Sequence, residues 1–119
     1  GGRAAIASAS GMASEAMALM TLLAQGDHVV AAGALYGGTV SMLAVNLARF
    51  GITTTFVDAT RPEAFAAAMQ PNTRAVFAES LGNPSLAVLD IAAVAEVAHA
   101  HGVPLLIDNT FARSRYCNR

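Results

Sequence analysis

Short apolar runs alternate along the chain with longer segments in which apolar residues recur every three or four positions. The runs are rich in β-branched residues, which favours strands, and the longer segments have the spacing of amphipathic helices. Glycine or proline stands at most of the boundaries, as is typical where one element ends and the next begins. The pattern predicts helices over residues 11–24, 39–50, 62–69 and 90–101, and strands over residues 28–32, 52–57, 74–79 and 103–107.

This alternation predicts a doubly wound α/β fold, with a mostly parallel sheet and helices on both faces. In such a sheet, ligands bind at the carboxyl ends of the strands. No repeat or linker interrupts the pattern, so we expect a single domain with its site at that edge. The junctions that lead into helices at that edge are polar, charged or rich in glycine: residues 7–12, 33–39, 79–84 and 108–112.

Composition narrows the class of protein. The chain has 119 residues, of which 55% are hydrophobic and only 13% charged, so we expect its surface to meet another domain or subunit of an oligomer. The net charge of −1 and the scattered basic residues argue against nucleic-acid binding. No apolar stretch is long enough to span a bilayer and the start resembles no signal peptide. Cys117 is the only cysteine, so we expect a reducing, cytoplasmic setting.

Asp108 is the strongest candidate for a functional residue. It follows the apolar run 103–107, and a carboxylate at the end of a buried strand costs free energy unless it is paired or hydrogen-bonded. A cationic cofactor ring would satisfy it. No partner carboxylate or histidine lies at ligand spacing nearby, so we expect no metal. The histidines, His28, His99 and His101, are assigned no functional role.

Three other junctions carry candidate ligand-binding groups, each with an ordinary structural alternative. Ser10, Gly11 and Met12 open the first helix, where free backbone N–H groups suit a phosphate or serve only as a helix cap. Tyr36 precedes two glycines and either stacks on a planar ligand or packs in the core. Asn83 either donates to a ligand oxygen or closes its own turn.

Taken together and in order, six segments resemble the pyridoxal-phosphate enzymes of cysteine and methionine metabolism. The segments are Ser10-Gly11-Met12-Ala13, Gly26-Asp27-His28-Val29-Val30, Leu35-Tyr36-Gly37-Gly38-Thr39, Asn72-Thr73-Arg74-Ala75-Val76, Glu79-Ser80-Leu81-Gly82-Asn83-Pro84 and Asp108-Asn109-Thr110-Phe111. The family includes cystathionine γ-synthase, methionine γ-lyase and O-acetylhomoserine sulfhydrylase, and the segment 79–84 is most similar to the last of these. The resemblance implies the large domain of the aspartate-aminotransferase-like fold.

The resemblance also implies a set of pyridoxal 5'-phosphate-binding residues. They are Gly11, Met12, Tyr36, Asn83, Asp108 and Thr110. The backbone N–H groups of the first two would bind the cofactor phosphate. Tyr36 would stack on the pyridine ring and assist proton transfer as a catalytic residue, and Asn83 would hydrogen-bond the ring hydroxyl. Asp108 would hold the pyridine nitrogen protonated, which makes the ring an electron sink.

The implied reaction is a γ-replacement of methionine biosynthesis and transsulfuration. O-acetylhomoserine would lose acetate and take up sulfide or a thiol, giving homocysteine or its thioether. Other members of the family imply alternatives: a methionine γ-lyase, or an enzyme of the cystathionine γ-synthase or γ-lyase type. Two alternatives of other classes are a non-catalytic phosphate-binding α/β module, although only one glycine stands at the helix start, and a degenerate structural subunit. The family implies an amino-acid substrate and a homodimer or homotetramer.

The chain also departs from the family pattern. Its seven basic residues are all arginines, so the Schiff-base lysine is absent, and so are the N-terminal arm and the C-terminal domain. Arg113-Ser114-Arg115-Tyr116 replaces the Thr-Pro-Tyr that commonly follows Thr-Phe-Ala in the family. We therefore expect residues 1–119 to be one incomplete pyridoxal-phosphate-binding domain that is inactive alone.

Overall fold

A computed structural model describes residues 2–112 and shows a four-stranded sheet with helices packed on it. Cys117 and the departure at residues 113–116 lie outside the described residues. The elements in chain order are α1 (Gly11–Leu22), β1 (His28–Ala32), α2 (Gly37–Ser41), a π-helical turn (Met42–Asn46), a 3-10 turn (Leu47–Phe50), β2 (Thr53–Val57), α3 (Pro62–Ala67), β3 (Thr73–Glu79), α4 (Ile91–Ala100) and β4 (Leu105–Asp108).

The sheet has the strand order β2-β1-β3-β4, and all three pairs of neighbours are parallel. The chain moves from β1 to β2 in one direction, then returns past β1 to β3 and continues to β4. Because such crossovers are right-handed, α2 lies on one face and α3 and α4 lie on the other. The contacts agree, since α1 touches α2 and α3 packs against α4. The predicted α/β class, with helices on both faces of a parallel sheet, is confirmed.

The core lies between the central strands and the helices. Every residue of β1 is buried, and β3 is buried from Ala75 to its end. Leu19, Leu43, Phe65 and Val94 bring apolar side chains from the helices, and each is 0% exposed. Among residues 2–112, the helices are too short or too polar to cross a bilayer.

The segment predicted as one helix over residues 39–50 has a different geometry. The helix begins at Gly37, two residues early, and passes into the π-helical turn and then the 3-10 turn. In the wider π turn, Leu47 N–H donates to the carbonyl of Met42, five residues back. The wider turn brings the side chains of Met42 and Leu47 to the same buried face. In an ordinary α-helix, residues five positions apart would point in different directions. Gly51 then ends the segment with φ +75°.

The other predicted elements match the structure within two residues at either end. The first helix ends at Leu22 because the Asp27 carboxylate accepts a hydrogen bond from the Ala24 N–H at 2.8 Å, which turns the chain toward β1. Strand β4 begins at Leu105, just after Pro104, whose carbonyl accepts from Val76 N–H at 3.0 Å. These boundaries are set by contacts between elements, which a local sequence pattern does not contain.

His28, the first residue of β1, links this strand to both of its neighbours, β2 and β3. Its side chain is 1% exposed, with Nδ1 2.7 Å from the Thr73 hydroxyl on β3 and Nε2 2.8 Å from the Thr55 hydroxyl on β2. Burial lowers the pKa of this imidazole from its ordinary value of 6.5. The histidine is therefore a structural residue that is held in its neutral form.

We expect His28 to make the protein less stable as the pH falls below about 6.5. In that range His28 binds a proton in the unfolded chain but not in the folded protein, so the free energy of unfolding falls. Replacing His28→Gln removes this component and flattens the dependence of the melting temperature on pH between about pH 7 and pH 5.

The matched control for this prediction is His99→Gln, which changes an exposed histidine of α4. It leaves the wild-type dependence of melting temperature on pH intact. A His28→Gln protein with an unchanged acid slope would show that the buried imidazole does not carry the effect.

Candidate active site

The sheet has a topological reversal between β1 and β3, and the crevice at such a point is where open α/β sheets bind ligands. A cleft of about 240 Å³ opens there, at the carboxyl ends of β1, β3 and β4. It is lined by Gly11, Met12, Glu15, Tyr36, Glu79, Asp108, Thr110 and Phe111. The cleft lies at the edge of the sheet where the sequence predicted it.

The N-terminus of α1 forms one wall of the cleft. Ser10 is extended and its hydroxyl accepts from the Ala13 N–H at 3.1 Å, which caps the helix. The N–H groups of Gly11 and Met12 belong to the first turn, where no intrahelical acceptor exists. A Cβ added to Gly11 would lie 3.9 Å from the Thr110 hydroxyl, so the start of α1 faces the end of β4. This wall offers free N–H groups and a positive helix terminus to an anion.

An aromatic ring stands at the mouth of the cleft. Tyr36 follows β1, is 53% exposed, and donates its backbone N–H to Glu79 Oε1 at 2.6 Å. A Cβ added to Gly38 would lie 2.6 Å from the Tyr36 ring and 3.4 Å from Met12 Sδ. The ring therefore folds back over Gly38 beside Met12, in space that only glycine leaves open. Its position gives the cleft an aromatic face for stacking.

Asp108 ends β4 directly beside the last residue of β3, because the strand register pairs Glu79 with Asp108. Asp108 Oδ1 accepts two hydrogen bonds from Thr110, one from the backbone N–H at 2.8 Å and one from the side-chain hydroxyl. This turn fixes the carboxylate and leaves Oδ2 for other partners. The arrangement suits a donor that approaches from the cleft.

Two further carboxyl groups, Glu15 and Glu79, surround Asp108. Burial raises the pKa of Glu15 to about 7. The hydrogen bond from Thr39 lowers this pKa, whereas hydrogen bonding with Asp108 and the negative charges of Asp108 and Glu79 raise it further. Burial also raises the pKa of Glu79. The hydrogen bond from the Tyr36 N–H lowers this pKa, and the negative charge of Asp108 raises it. Within residues 2–112, Glu79 Oε2 is buried without a hydrogen-bond partner. A cationic group in the cleft would relieve this concentration of negative charge.

The structure brings together five of the six residues that the resemblance implied, since all but Asn83 line the cleft. Asn83 lies in the loop after β3 and donates its backbone N–H to the Ala34 carbonyl at 3.4 Å. No group of His, Cys, Asp and Glu side chains in the described part of the chain has the arrangement of a metal site.

Sequence reasoning missed the two glutamates of the cleft. Glu79 was read only as part of a motif, although a carboxylate that ends a buried strand is the same signal that marked Asp108. Glu15 had a weaker signal: it lies four positions after Gly11, and thus on the same face of a mostly apolar helix. Its neighbours across the cleft become visible only in the folded chain.

A parallel α/β sheet with an open helix terminus, an aromatic ring and carboxylates in one cleft has the form of a cofactor-binding domain. The family model described as Cys/Met metabolism PLP-dependent enzyme matches residues 1–119. The chain therefore belongs to the Cys/Met metabolism family of pyridoxal-phosphate-dependent enzymes.

Individual relatives agree with this assignment. The homocysteine synthase of Schizosaccharomyces pombe is 50% identical over 118 residues, which are 99% of this chain and 28% of that protein. The solved structure of the O-acetylhomoserine sulfhydrylase of Wolinella succinogenes is 40% identical with a TM-score of 0.82, covering 85% of this chain and 29% of that one. The cystathionine gamma-lyase of Lactobacillus plantarum, complexed with L-serine, is 41% identical with a TM-score of 0.83, covering 87% and 27%.

The residues of the cleft fit the cofactor of this family. Pyridoxal phosphate has an anionic phosphate, a planar ring and a ring nitrogen that becomes cationic on protonation. The start of α1 supplies N–H groups for an anion, and Tyr36 supplies an exposed aromatic face. Among residues 2–112, Glu79 Oε2 is buried without a hydrogen-bond partner, and together with the fixed Asp108 carboxylate it favours a cation between the two groups.

Proposed function

We propose that this chain is the central part of the large domain of a γ-replacement enzyme of the O-acetylhomoserine sulfhydrylase type. The complete enzyme would convert O-acetylhomoserine and sulfide into homocysteine and acetate. The observation that carries the proposal is the cleft itself, where Asp108, the aromatic ring of Tyr36 and the open start of α1 converge. The names of the similar homocysteine synthase and O-acetylhomoserine sulfhydrylase support the choice of reaction.

The residues of this chain would hold the cofactor at three points. Gly11 and Met12 would donate their backbone N–H groups to the phosphate, at the positive end of α1. Tyr36 would stack on the ring and move a proton at its phenolic oxygen. Asp108, oriented by Thr110, would keep a proton on the ring nitrogen. When bound, pyridoxal phosphate supplies the electron sink that stabilises a carbanion of the amino-acid substrate.

Asn83 completes the proposed set, with its side chain donating to the hydroxyl of the cofactor ring. Its loop begins right after Glu79 and is closed by an isolated bridge between Leu81 and Val88, so it starts at the edge of the cleft. The proposal for Asn83 rests on the family motif alone.

The complete enzyme needs groups that these residues do not include. The chain spans little more than a quarter of the relative's length, at 28%, and contains no lysine. We propose that the Schiff-base lysine, an N-terminal arm and a C-terminal domain belong to the rest of the enzyme. Ile6, Leu86 and Val88 are 87%, 68% and 76% exposed, which supports burial against those parts or against a second subunit of a cytoplasmic homodimer or homotetramer.

A second candidate is a γ-lyase on the same scaffold, which the similarity to a cystathionine gamma-lyase favours. A lyase eliminates the γ-substituent and releases a 2-oxo acid and ammonia. Both reactions need the same carbanion chemistry, so the cleft described here would serve either one.

Product analysis separates the two candidates. The full-length protein is given O-acetylhomoserine with and without sulfide, and homocysteine, acetate and 2-oxo acid are measured. We expect acetate release to depend on sulfide and to match homocysteine formation. Formation of a 2-oxo acid and ammonia at the same rate without sulfide would favour the lyase. Cofactor binding without turnover of any γ-substituted amino acid would favour a non-catalytic module.

A further inference from the structure

Glu15 is a buried acid in the cleft to which the proposed function gives no task. We propose that Glu15 is a positioning residue that shares a proton with Asp108 and so sets how strongly Asp108 holds the ring nitrogen of the bound cofactor. This inference rests on the proposed function, because it concerns the same cleft and the same ligand. Glu15 lies on α1, one turn after the residues proposed to bind the phosphate. The inference gives this residue an influence on the ring nitrogen, which is at the other end of the cofactor.

The geometry fixes Glu15 in place. Its side chain projects from α1 into the cleft, and the residue is only 9% exposed. The Thr39 hydroxyl on α2, itself fully buried, donates to Glu15 Oε2 at 2.9 Å. Asp108 lines the same cleft, near enough to Glu15 that its carboxyl group and its charge help to raise the Glu15 pKa. One carboxyl group thus bonds to α2 and shares the cleft with the end of β4.

The surroundings of Glu15 decide its charge. Asp108 on β4 and Glu79 on β3 face it with negative charge, Tyr36 at the start of α2 faces it with a phenol, and Thr39 faces it with a hydroxyl. The residues that line the cleft within the described part of the chain include no lysine, arginine or histidine. Two carboxyl groups that lie so close together in such a place cannot both ionise easily, so one proton is held between them.

The shared proton gives the cleft two states near neutral pH. When Glu15 is protonated, it donates to Asp108 and competes with the ring nitrogen for that carboxylate. When Glu15 ionises, Asp108 is released from this competition and the cleft gains a second negative charge. Since burial raises the pKa of Glu15 to about 7, the change falls within the range where the enzyme would work. A cationic ring therefore binds more tightly as the pH rises through this range.

The test measures binding of pyridoxamine 5'-phosphate to the full-length apoprotein at about pH 6 and about pH 8. This probe keeps the ring nitrogen and the phosphate but lacks the aldehyde, so it forms no bond to a lysine and needs no turnover. We compare wild type with Glu15→Gln, whose amide donates to Asp108 at every pH. At the lower pH the two proteins bind equally, and at the higher pH wild type binds about tenfold more tightly.

A second variant, Thr39→Val, keeps Glu15 but removes the hydrogen bond that favours its ionised form. We expect its gain in affinity to occur at a higher pH than in wild type. This shift is a result that a purely structural role of Glu15 would not produce. Thermal melting checks that both variants are folded, and if Glu15→Gln is not, the shift in Thr39→Val decides alone.

The outcomes separate the inference from the proposed function. If wild type does not bind the probe at either pH, the proposed function fails. If wild type and Glu15→Gln bind with parallel dependence on pH, or if Thr39→Val shows no shift, the role of Glu15 is overturned while the proposed function stands.

Discussion

Replacing Asp108→Asn in the full-length protein is expected to lower kcat by at least about 10²- to 10³-fold. An amide cannot keep a proton on the ring nitrogen, so the bound cofactor loses most of its capacity to stabilise a carbanion. The fold should survive, because the Thr110 N–H and hydroxyl can donate to an amide oxygen as they do to the carboxylate. Removing the Asp108 charge also removes one of the causes that raise the pKa values of Glu15 and Glu79, so it relieves repulsion in the cleft.

The measurement is kcat and KM for O-acetylhomoserine and sulfide, together with the melting temperature. Asp90→Asn is the matched control: Asp90 caps α4 by accepting from the Ala93 N–H at 3.0 Å, and asparagine caps a helix equally well. The control should keep wild-type activity and stability. If Asp108→Asn turns over within a few-fold of wild type, Asp108 does not act on the ring nitrogen.

Asp108 could be found from the sequence because its signal is local. A run of apolar residues that ends in a carboxylate predicted a buried strand that ends at Asp108. The structure has β4 ending at that residue, but the prediction of burial was wrong, because β4 is the edge strand of the described sheet and its four residues are only partly buried. The α/β class was predictable for the same reason, since strands and helices each have their own hydrophobic period. The first strand, from His28 to Ala32, agrees with its predicted bounds because all five residues are buried and apolar or hydrogen-bonded.

Features that depend on contacts between distant residues could not be predicted in this way. The helix after β1 starts at Gly37 instead of residue 39, and the Tyr36 N–H just before it is held by Glu79, forty-three positions further along the chain. The raised pKa of Glu15 depends first on burial and then on Asp108, and both follow from the packing of α1 and the order of strands in the sheet. The sequence therefore predicted the edge of the sheet at which the cleft opens, but not the group of carboxyl side chains within the cleft.

Replacing Phe65→Ala is expected to have the opposite effect to Asp108→Asn, since it removes stability and spares the site. Phe65 lies on α3 and is 0% exposed, and α3 packs against α4, where Val94 and Ala98 are also 0% exposed. Truncating a buried phenylalanine leaves a cavity and typically costs about 3–5 kcal/mol. None of the residues that line the cleft belongs to α3 or α4. Folded molecules should therefore keep their affinity for pyridoxal phosphate.

Melting temperature and cofactor affinity, measured on the same full-length samples, test this separation. Phe50→Ala is the matched control, because it removes the same atoms from a side chain that is 60% exposed in this chain, where a change within about 0.5 kcal/mol is usual. We expect Phe65→Ala to melt several degrees below both wild type and the control, with an unchanged dissociation constant well below its melting range. Equal melting of the two variants would contradict the position of Phe65 in the core. Loss of cofactor binding from a folded Phe65→Ala protein would show that the packing of α3 on α4, on the opposite face of the sheet from α2, also shapes the cleft.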